Sequence, residues 1–326
     1  MPGRRLAFEE RTEIKRRLAL GESFRMIGLA LGRPASTVSR EVARNGGRVS
    51  YHPWRAQGRW NQTCRRPKAF RLETNPTLAL VVSTLLALDW SPEQIASRLR
   101  RDHPDDPRWW VSTRSIYASL WVQGRGGLRD ELRSHLRARK RRRRDSSDGR
   151  GQLKDMVSIR DRPPEAEDRA VPGFWEGDLI LGGDGRTALG TLVERSSRLV
   201  LLFALRDNHT AETTRQALTE VIQTLPAELA RGITWDQGKE MAGHAQFSID
   251  TGVAVYFCDP GKPWQRGSNE NTNGLLRKYF PKGTRFDQVT DAQITEAAWR
   301  LNNRPRETLN WDTPAEAYSR FVAMTT

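Results

Sequence analysis

From residue 173 onward three short apolar runs, 175–181, 188–193 and 199–205, follow one another with only turn-forming residues between them. Gly182-Gly-Asp-Gly185 fills the first gap and Glu194-Arg-Ser-Ser197 the second. Runs this short and this tightly joined predict an antiparallel meander. A helix is predicted next over 211–225, where Leu218, Val221, Ile222 and Leu225 share one face. Two more strands are predicted at 233–236 and 253–257, then helices near 269–278 and 291–302 and a short one after Thr313-Pro314. The spacing therefore predicts an α/β domain over 171–326, a mixed five-stranded sheet with flanking helices.

The first 121 residues read as all-α. Helices are predicted at 8–20 and 24–31, the second capped by Ser23, and Gly32-Arg33-Pro34 makes the turn that follows. A third helix opens at Ser36 or Thr37, carries Val38, Arg40, Val42 and Arg44, and ends near Asn45-Gly46-Gly47. Short helices, a Gly-containing turn and a basic last helix match a helix-turn-helix over 1–50. Its last helix would offer Ser36, Thr37, Ser39, Arg40 and Arg44 to DNA. A plain three-helix bundle is the alternative. A second helical domain over 51–121 has an apolar helix at 78–88, a helix opened by Ser91-Pro92-Glu93 and a third at 111–121. It reads as a helix-turn-helix with an extended turn, or as a dimerisation module. Residues 122–170 form a basic linker in which Arg137-Ala-Arg-Lys-Arg-Arg-Arg-Arg144 is expected to meet phosphates.

Charge separates these halves. Residues 1–150 hold 33 Lys and Arg against 15 Asp and Glu, whereas 151–326 hold 21 against 24. All of the net positive charge of +15 thus lies in the helical half, which points to a polyanionic partner there. The two cysteines, Cys64 and Cys258, have no Cys or His neighbour at metal-ligand spacing. A zinc finger and a disulfide scaffold are excluded, and a reducing compartment is expected. No stretch approaches the roughly 20 apolar residues of a membrane span. A cytoplasmic, nucleoid-associated protein is the expectation.

Three carboxylates stand out in the second half. Asp178 lies in Phe174-Trp-Glu-Gly-Asp-Leu-Ile-Leu181, Asp236 closes Gly232-Ile-Thr-Trp-Asp236, and Glu270 opens a polar helix in Gly267-Ser-Asn-Glu-Asn-Thr-Asn-Gly274. Hard divalent cations prefer oxygen ligands, and a pair of them can run in-line displacement at phosphorus. Rival acids exist. Glu176 points to the same side of its strand as Asp178, Asp184 is close, and Glu240 lies near Asp236. Glu270, Asn273 and Arg277 share a helix face, so Asn273 is expected to orient a phosphate or water and Arg277 to pair with DNA phosphate.

Read together, these segments resemble bacterial insertion-sequence transposases of the DDE class, of the IS-thirty type. The resemblance rests on Trp90-Ser-Pro-Glu-Gln-Ile-Ala96, Trp175-Glu-Gly-Asp-Leu-Ile180, Thr234-Trp-Asp-Gln-Gly-Lys-Glu240 and Pro263-Trp-Gln-Arg-Gly-Ser-Asn-Glu-Asn-Thr-Asn-Gly-Leu-Leu-Arg277, besides the helix-turn-helix. It implies a ribonuclease-H-like catalytic domain, with Asp178, Asp236 and Glu270 as catalytic and metal-binding triad. Two Mg²⁺ ions are implied as cofactor, with Mn²⁺ as a substitute. Such a protein would bind double-stranded DNA at the inverted-repeat ends of its element, cleave there by hydrolysis, and join the freed 3′-hydroxyl to target DNA. Synapsis of two ends implies a homodimer or higher oligomer. The competing expectation is a DNA-binding regulator with an inactive nuclease-like domain. A retroviral-type integrase would carry an N-terminal His/Cys module, and residues 1–70 contain only His52 and Cys64.

Overall fold

The computed structural model describes residues 5–65, 70–122, 153, 155–167, 169 and 171–325. The basic run 137–144 lies outside the described residues. The chain divides into two compact units, Met1–Ala69 and Phe70–Thr326.

In the first unit, α1 (Phe8–Ala19), α2 (Phe24–Leu31) and α3 (Ala35–Arg44) are followed by a single turn α4 (Gly47–Ser50) and by α5 (Pro53–Arg65). Ser23 caps α2, its Oγ accepting the Met26 N–H at 3.3 Å. Gly28 allows the α2–α3 turn to close, because a Cβ there would lie 2.6 Å from the Arg33 carbonyl oxygen. The third helix starts one residue before the expected caps: Pro34 holds the N-cap position, and Ser36 and Thr37 fall in the first helical turn. Ile14, Ile27, Val38, Val42, Tyr51 and Ala56 form the core. Buried Arg11 joins three helices, donating to Glu41 at 2.8 Å and to Gln57 at 2.7 Å.

The second unit begins with α6 (Arg71–Thr74), α7 (Pro76–Ala87), α8 (Pro92–Asp102) and α9 (Thr113–Val122), packed around Leu78, Val82, Leu86, Ile95, Leu99 and Ile116. Ser91 and Gln94 form a reciprocal cap on α8, with bonds of 3.2 and 2.8 Å. Next come β1 (Val157–Ser158), β2 (Phe174–Leu181), β3 (Ala188–Glu194), β4 (Val200–Leu205), α10 (Ala211–Gln223), β5 (Gly232–Trp235), α11 (His244–Thr251), β6 (Ala254–Phe257), α12 (Gly267–Leu276), α13 (Asp291–Asn302) and α14 (Pro314–Thr325). The strands form one sheet in the order β1-β6-β5-β2-β3-β4. β2, β3 and β4 are the antiparallel meander; β5, β6 and β1 add on the other side in parallel. This is the ribonuclease-H-like arrangement, with one correction: the sheet has six strands, not five. The extra strand is two residues long and lies within 122–170, where so short a pairing leaves no period-2 pattern to read.

Alternation divides the sheet into two faces. Trp175, Leu192, Phe203 and Trp235 point into one core with Leu218 and Ile222 of α10 and Phe247 of α11. Ile180 and Leu189 point into the other, with Leu276 of α12 and Ile294, Ala297 and Leu301 of α13. Every residue of β3 is buried, as befits a strand covered on both sides. The helical segment packs on the same unit through Asp89. This carboxylate, 2% exposed, receives the Tyr279 hydroxyl at 2.8 Å, Arg300 at 3.4 Å and the Lys278 ammonium. Arg98 adds a two-pronged pair with Glu316, both bonds 2.7 Å. Among the described residues no helix is long and apolar enough to cross a membrane.

Gly177 sits between Glu176 and Asp178 where the Trp235 ring crosses β2, and a Cβ there would lie 2.0 Å from that ring. Trp235 is fully buried and cannot step aside without disturbing the core. Gly177→Ala is expected to lower stability by about 1–3 kcal/mol, measured as the shift in urea midpoint at unchanged slope. A variant as stable as the parent would contradict this packing.

Candidate active site

On the α12 side of the sheet, β2 presents Glu176 and Asp178 in succession, and β3 presents Thr191 directly opposite Asp178. β5 pairs with β2 so that Thr234 matches Glu176. Two residues further along, that register sets Asp236, the first residue past β5, level with Asp178. Both carboxylates are about a quarter exposed, with side-chain exposures of 27% and 28%. One guanidinium joins them: Arg266 lies 3.2 Å from Asp178 Oδ1 and 2.9 Å from Asp236 Oδ2, and it donates to the Gly177 carbonyl at 2.8 Å.

Burial pushes the Asp178 carboxyl above its ordinary range; Arg266 opposes that rise and Asp236 adds to it. Burial works against the charge of Arg266 as well, but Asp178 and Asp236 outweigh it and raise its pKa. Glu240, donated to by the Trp235 indole at 3.2 Å, also has a raised pKa, from burial first and then from Asp236 and Asp178. Asp178 and Asp236 are thus joined by one arginine, with Glu240 near enough to feel both charges.

Arg266 occupies the N-cap position of α12, and Asn273 lies two turns along. Asn273 Nδ2 donates to Asp178 Oδ2 at 2.7 Å, and its Oδ1 accepts from Thr191 at 3.2 Å. Residues 266, 270 and 273 fall on one helix face. Glu270 is therefore bracketed by two residues that touch Asp178, yet its own side chain is exposed and makes no hydrogen bond or ion pair among the described residues. No three His, Cys, Asp or Glu side chains among the described residues are grouped closely enough to hold a metal ion as they stand. The structure thus joins Asp178 and Asp236 and leaves Glu270 on the facing helix. Arg277, a turn beyond Asn273, is half-buried, and burial lowers its pKa. In the first unit, Ser36, Arg40 and Arg44 are exposed on α3, and Thr37 and Ser39 are half-buried beside them.

The rivals of Asp178 separate by environment. Asp184 is spent in its turn, where the Thr187 N–H at 3.0 Å, with Arg186 N–H and the Thr187 hydroxyl, holds it at about 2. Glu176 is fully buried, and its Oε2 accepts the backbone N–H groups of Ser268 and Asn269 at 3.0 and 3.1 Å. Those are orphan donors of the first turn of α12, so Glu176 caps that helix from a different element. The Asn269 side chain returns a bond to the Glu176 carbonyl at 3.0 Å and accepts one from Thr191 at 2.9 Å. Sequence reasoning did not single out Arg266 or assign this role to Glu176. The signal for Arg266 was its place four residues before Glu270; for Glu176 there was only its alternation with Asp178.

Comparison with known proteins fits this geometry. Residues 3–45 match the helix-turn-helix domain family, and residues 168–263 match the integrase core domain family, a span that holds Asp178 and Asp236. The transposase of insertion sequence element IS1086 from Cupriavidus metallidurans is 45% identical over 97% of this chain and 94% of its own length. The chain belongs to the IS30-type insertion-sequence transposases. The InsI transposase of IS30C from Escherichia coli is 42% identical over 98% of this chain and 85% of its own. The transposase of IS4351 from Bacteroides fragilis, at 33% identity, spans 96% of this chain and 95% of its own. This transposase family member carries its helix-turn-helix and its integrase core in one chain.

Breaking the Glu176 cap is expected to be costly, because it also strands Arg195, 3.4 Å from Glu176 Oε1. Glu176→Ala should lose about 3–5 kcal/mol and speed amide exchange at Ser268 and Asn269, while Glu176→Gln keeps one acceptor and part of that protection. Unchanged exchange at both amides in Glu176→Ala would remove the capping role.

Proposed function

We propose that this chain is a DNA transposase that binds the inverted-repeat ends of its own element through α3 and performs hydrolysis and strand transfer at Asp178, Asp236 and Glu270. The observation that carries the reading is the convergence of Asp178 and Asp236 on a single cationic group, with the helix face of Glu270 opposite. A guanidinium here stands in for cationic charge: two carboxylates on separate strands, side by side and partly desolvated, are stable only if something positive lies between them. The donor set is all oxygen, which suits Mg²⁺, with Mn²⁺ as a substitute. Asp178, Asp236 and Glu270 would hold these ions. When bound, such ions activate the attacking oxygen and stabilise the leaving one.

The chain's own residues prepare this. Glu176 and Asn269 fix α12 against β2, so Glu270 has only side-chain rotation left to make toward Asp178. Arg266 supplies counter-charge to both aspartates, and it must swing off them for both to serve as ligands. Once released it is one turn from the DNA-facing side of α12, with Asn273 and Arg277 beyond it. Asn273 holds Asp178 in orientation, and Arg277 is placed to pair with a backbone phosphate. No Ser or Tyr nucleophile is required by this chemistry, since water and then a DNA 3′-hydroxyl supply the attacking oxygen. In the first unit Arg40 and Arg44, with Ser36, Thr37 and Ser39, meet the DNA end. Bringing two ends together calls for a homodimer or larger assembly. The work is done on the bacterial nucleoid.

Purified protein incubated with Mg²⁺ and DNA ending in the inverted repeats that flank this reading frame should yield nicked and strand-transferred products. Asp236→Asn should give none above about a thousandth of that level, each 1.4 kcal/mol of lost stabilisation being tenfold. End binding without products from the parent, across metal concentrations, would instead indicate a DNA-binding regulator. Arg266→Ala leaves the two aspartates without their counter-charge, so in EDTA it should melt below the parent. Mg²⁺ should then raise its Tm more than it raises the parent's. An equal response to Mg²⁺ would mean that Arg266 does not compete for these carboxylates.

A further inference from the structure

Beside the acidic site, on the neighbouring side of α12, lies a concentration of arginine that the chemistry above does not use. Arg162 and Arg195 are 8% and 6% exposed, and the Nε of each has no hydrogen-bond partner among the described residues. Arg198 is half-buried and donates to the Ser268 hydroxyl at the start of α12. Arg169 is exposed beside them. Two clefts open here. One of about 190 Å³ is lined by Arg169, Arg198, Arg306, Ser268 and Asn271. The other, of about 240 Å³, is lined by Arg162, Arg169, Arg195, Gln265 and Trp264. Arg169 lines both, so the two clefts adjoin near the entrance to α12.

The local acids offset only part of this charge. Glu176 gives one oxygen to the α12 amides, at 3.0 and 3.1 Å, and the other lies 3.4 Å from Arg195, while Glu194 is taken by Gly173 N–H at 3.1 Å and the Ser197 hydroxyl at 2.6 Å. Glu167 is 70% exposed and reaches Arg162 only at 3.3 Å. Burial, together with Arg162, Arg169 and Arg198, pushes the Arg195 pKa down to about 10 despite Glu176. Burial, then Arg169, lowers that of Arg198 too. Guanidiniums gathered so closely cost stability unless an anion joins them, and guanidinium geometry suits phosphate oxygens. A small anion would need only one of the clefts. Two adjoining arginine-lined clefts, with Trp264 67% exposed at the rim of one, suit a chain of phosphates carrying stackable bases.

We propose that this arginine-lined groove binds the phosphodiester backbone of a DNA strand passing the N-terminal end of α12, with Trp264 stacking on an unpaired base of that strand. The inference rests on the transposase reading, to which it adds a path for the strand next to the reacting bond. Arg162 and Arg195 hold the floor of the groove, and Arg169 and Arg198 supply the contacts nearest its opening.

The test is equilibrium binding of full-length protein, in EDTA, to a fluorescent duplex with a short single-stranded 3′ overhang, over a range of salt. Arg169→Ala should lower the slope of log K against log salt by about 0.7–0.9, the loss of one phosphate contact, and Arg169→Lys should retain the parent's slope. Trp264→Ala should weaken binding of the overhang duplex roughly tenfold and barely affect a blunt duplex. Parent-like slope and affinity in Arg169→Ala overturn the proposal. So does stabilisation of the parent, but not of Arg169→Ala, by inorganic phosphate without any change in DNA slope, which would make the groove a site for a small anion. Because the readout is binding without metal, absence of cleavage would count against the transposase reading alone.

Discussion

A buried carboxylate bonded to two backbone amides holds the catalytic architecture in register. Glu176 has no exposure to solvent, and its Oε2 takes the N–H groups of Ser268 and Asn269 at 3.0 and 3.1 Å. Burying a charge is affordable only when it is fully engaged. Here the engagement is with the first turn of α12, whose orphan amides and dipole both favour an anion. The strand that carries Asp178 and the helix that carries Glu270 are therefore joined two residues away from each of those acids. Asn269 closes the joint with its bonds to the Glu176 carbonyl and to Thr191. The proposed site draws on residues 178, 236 and 270, and this contact brings the helix of its most distant member in sequence to the sheet.

Much of the catalytic domain was legible because strands buried on both faces leave continuous apolar runs. The three runs of the meander, the amphipathic helix after them and the helix Asp291–Asn302 lie where spacing put them. Asp178 and Asp236 were legible as acids at the ends of such runs. What spacing could not separate was Glu176 from Asp178: alternation puts both on one face, and only the arrival of α12 from more than ninety residues away decides which is buried. Arg266 was illegible for a similar reason. Its partners are on two other strands, and nothing local marks an arginine as a bridge between carboxylates. The two-residue strand β1 pairs only with β6, across about a hundred residues, and carries no pattern of its own.

The division of charge takes on a physical meaning in the structure. The second half of the chain is slightly acidic overall, yet its acids and arginines are not evenly mixed. On one side of α12, Asp178 and Asp236 converge on a single arginine with Glu240 nearby; on the neighbouring side, four arginines gather around acids that offset only part of their charge. A helix flanked by an acidic pocket and a basic groove gives opposite potentials within one element's width. Such a field orients a polyanion, drawing its backbone to one side and leaving the other for cations.

The Asp89 contact, considered together with Glu176, makes α12 a beam clamped at both ends. Its first turn is fixed to the sheet by Glu176, and the residues just past its last turn, Lys278 and Tyr279, are fixed to the helical segment by Asp89. A beam held in this way neither slides nor rolls, so the backbone beneath Glu270 contributes almost nothing to rearrangement at the site. Adjustment is left to the exposed Glu270 side chain, whose rotamers exchange in picoseconds to nanoseconds, and to Arg266, which must first give up its bonds to Asp178, Asp236 and the Gly177 carbonyl. Reorganisation of the acidic pocket then turns on releasing Arg266 from its carboxylates rather than on moving the helix.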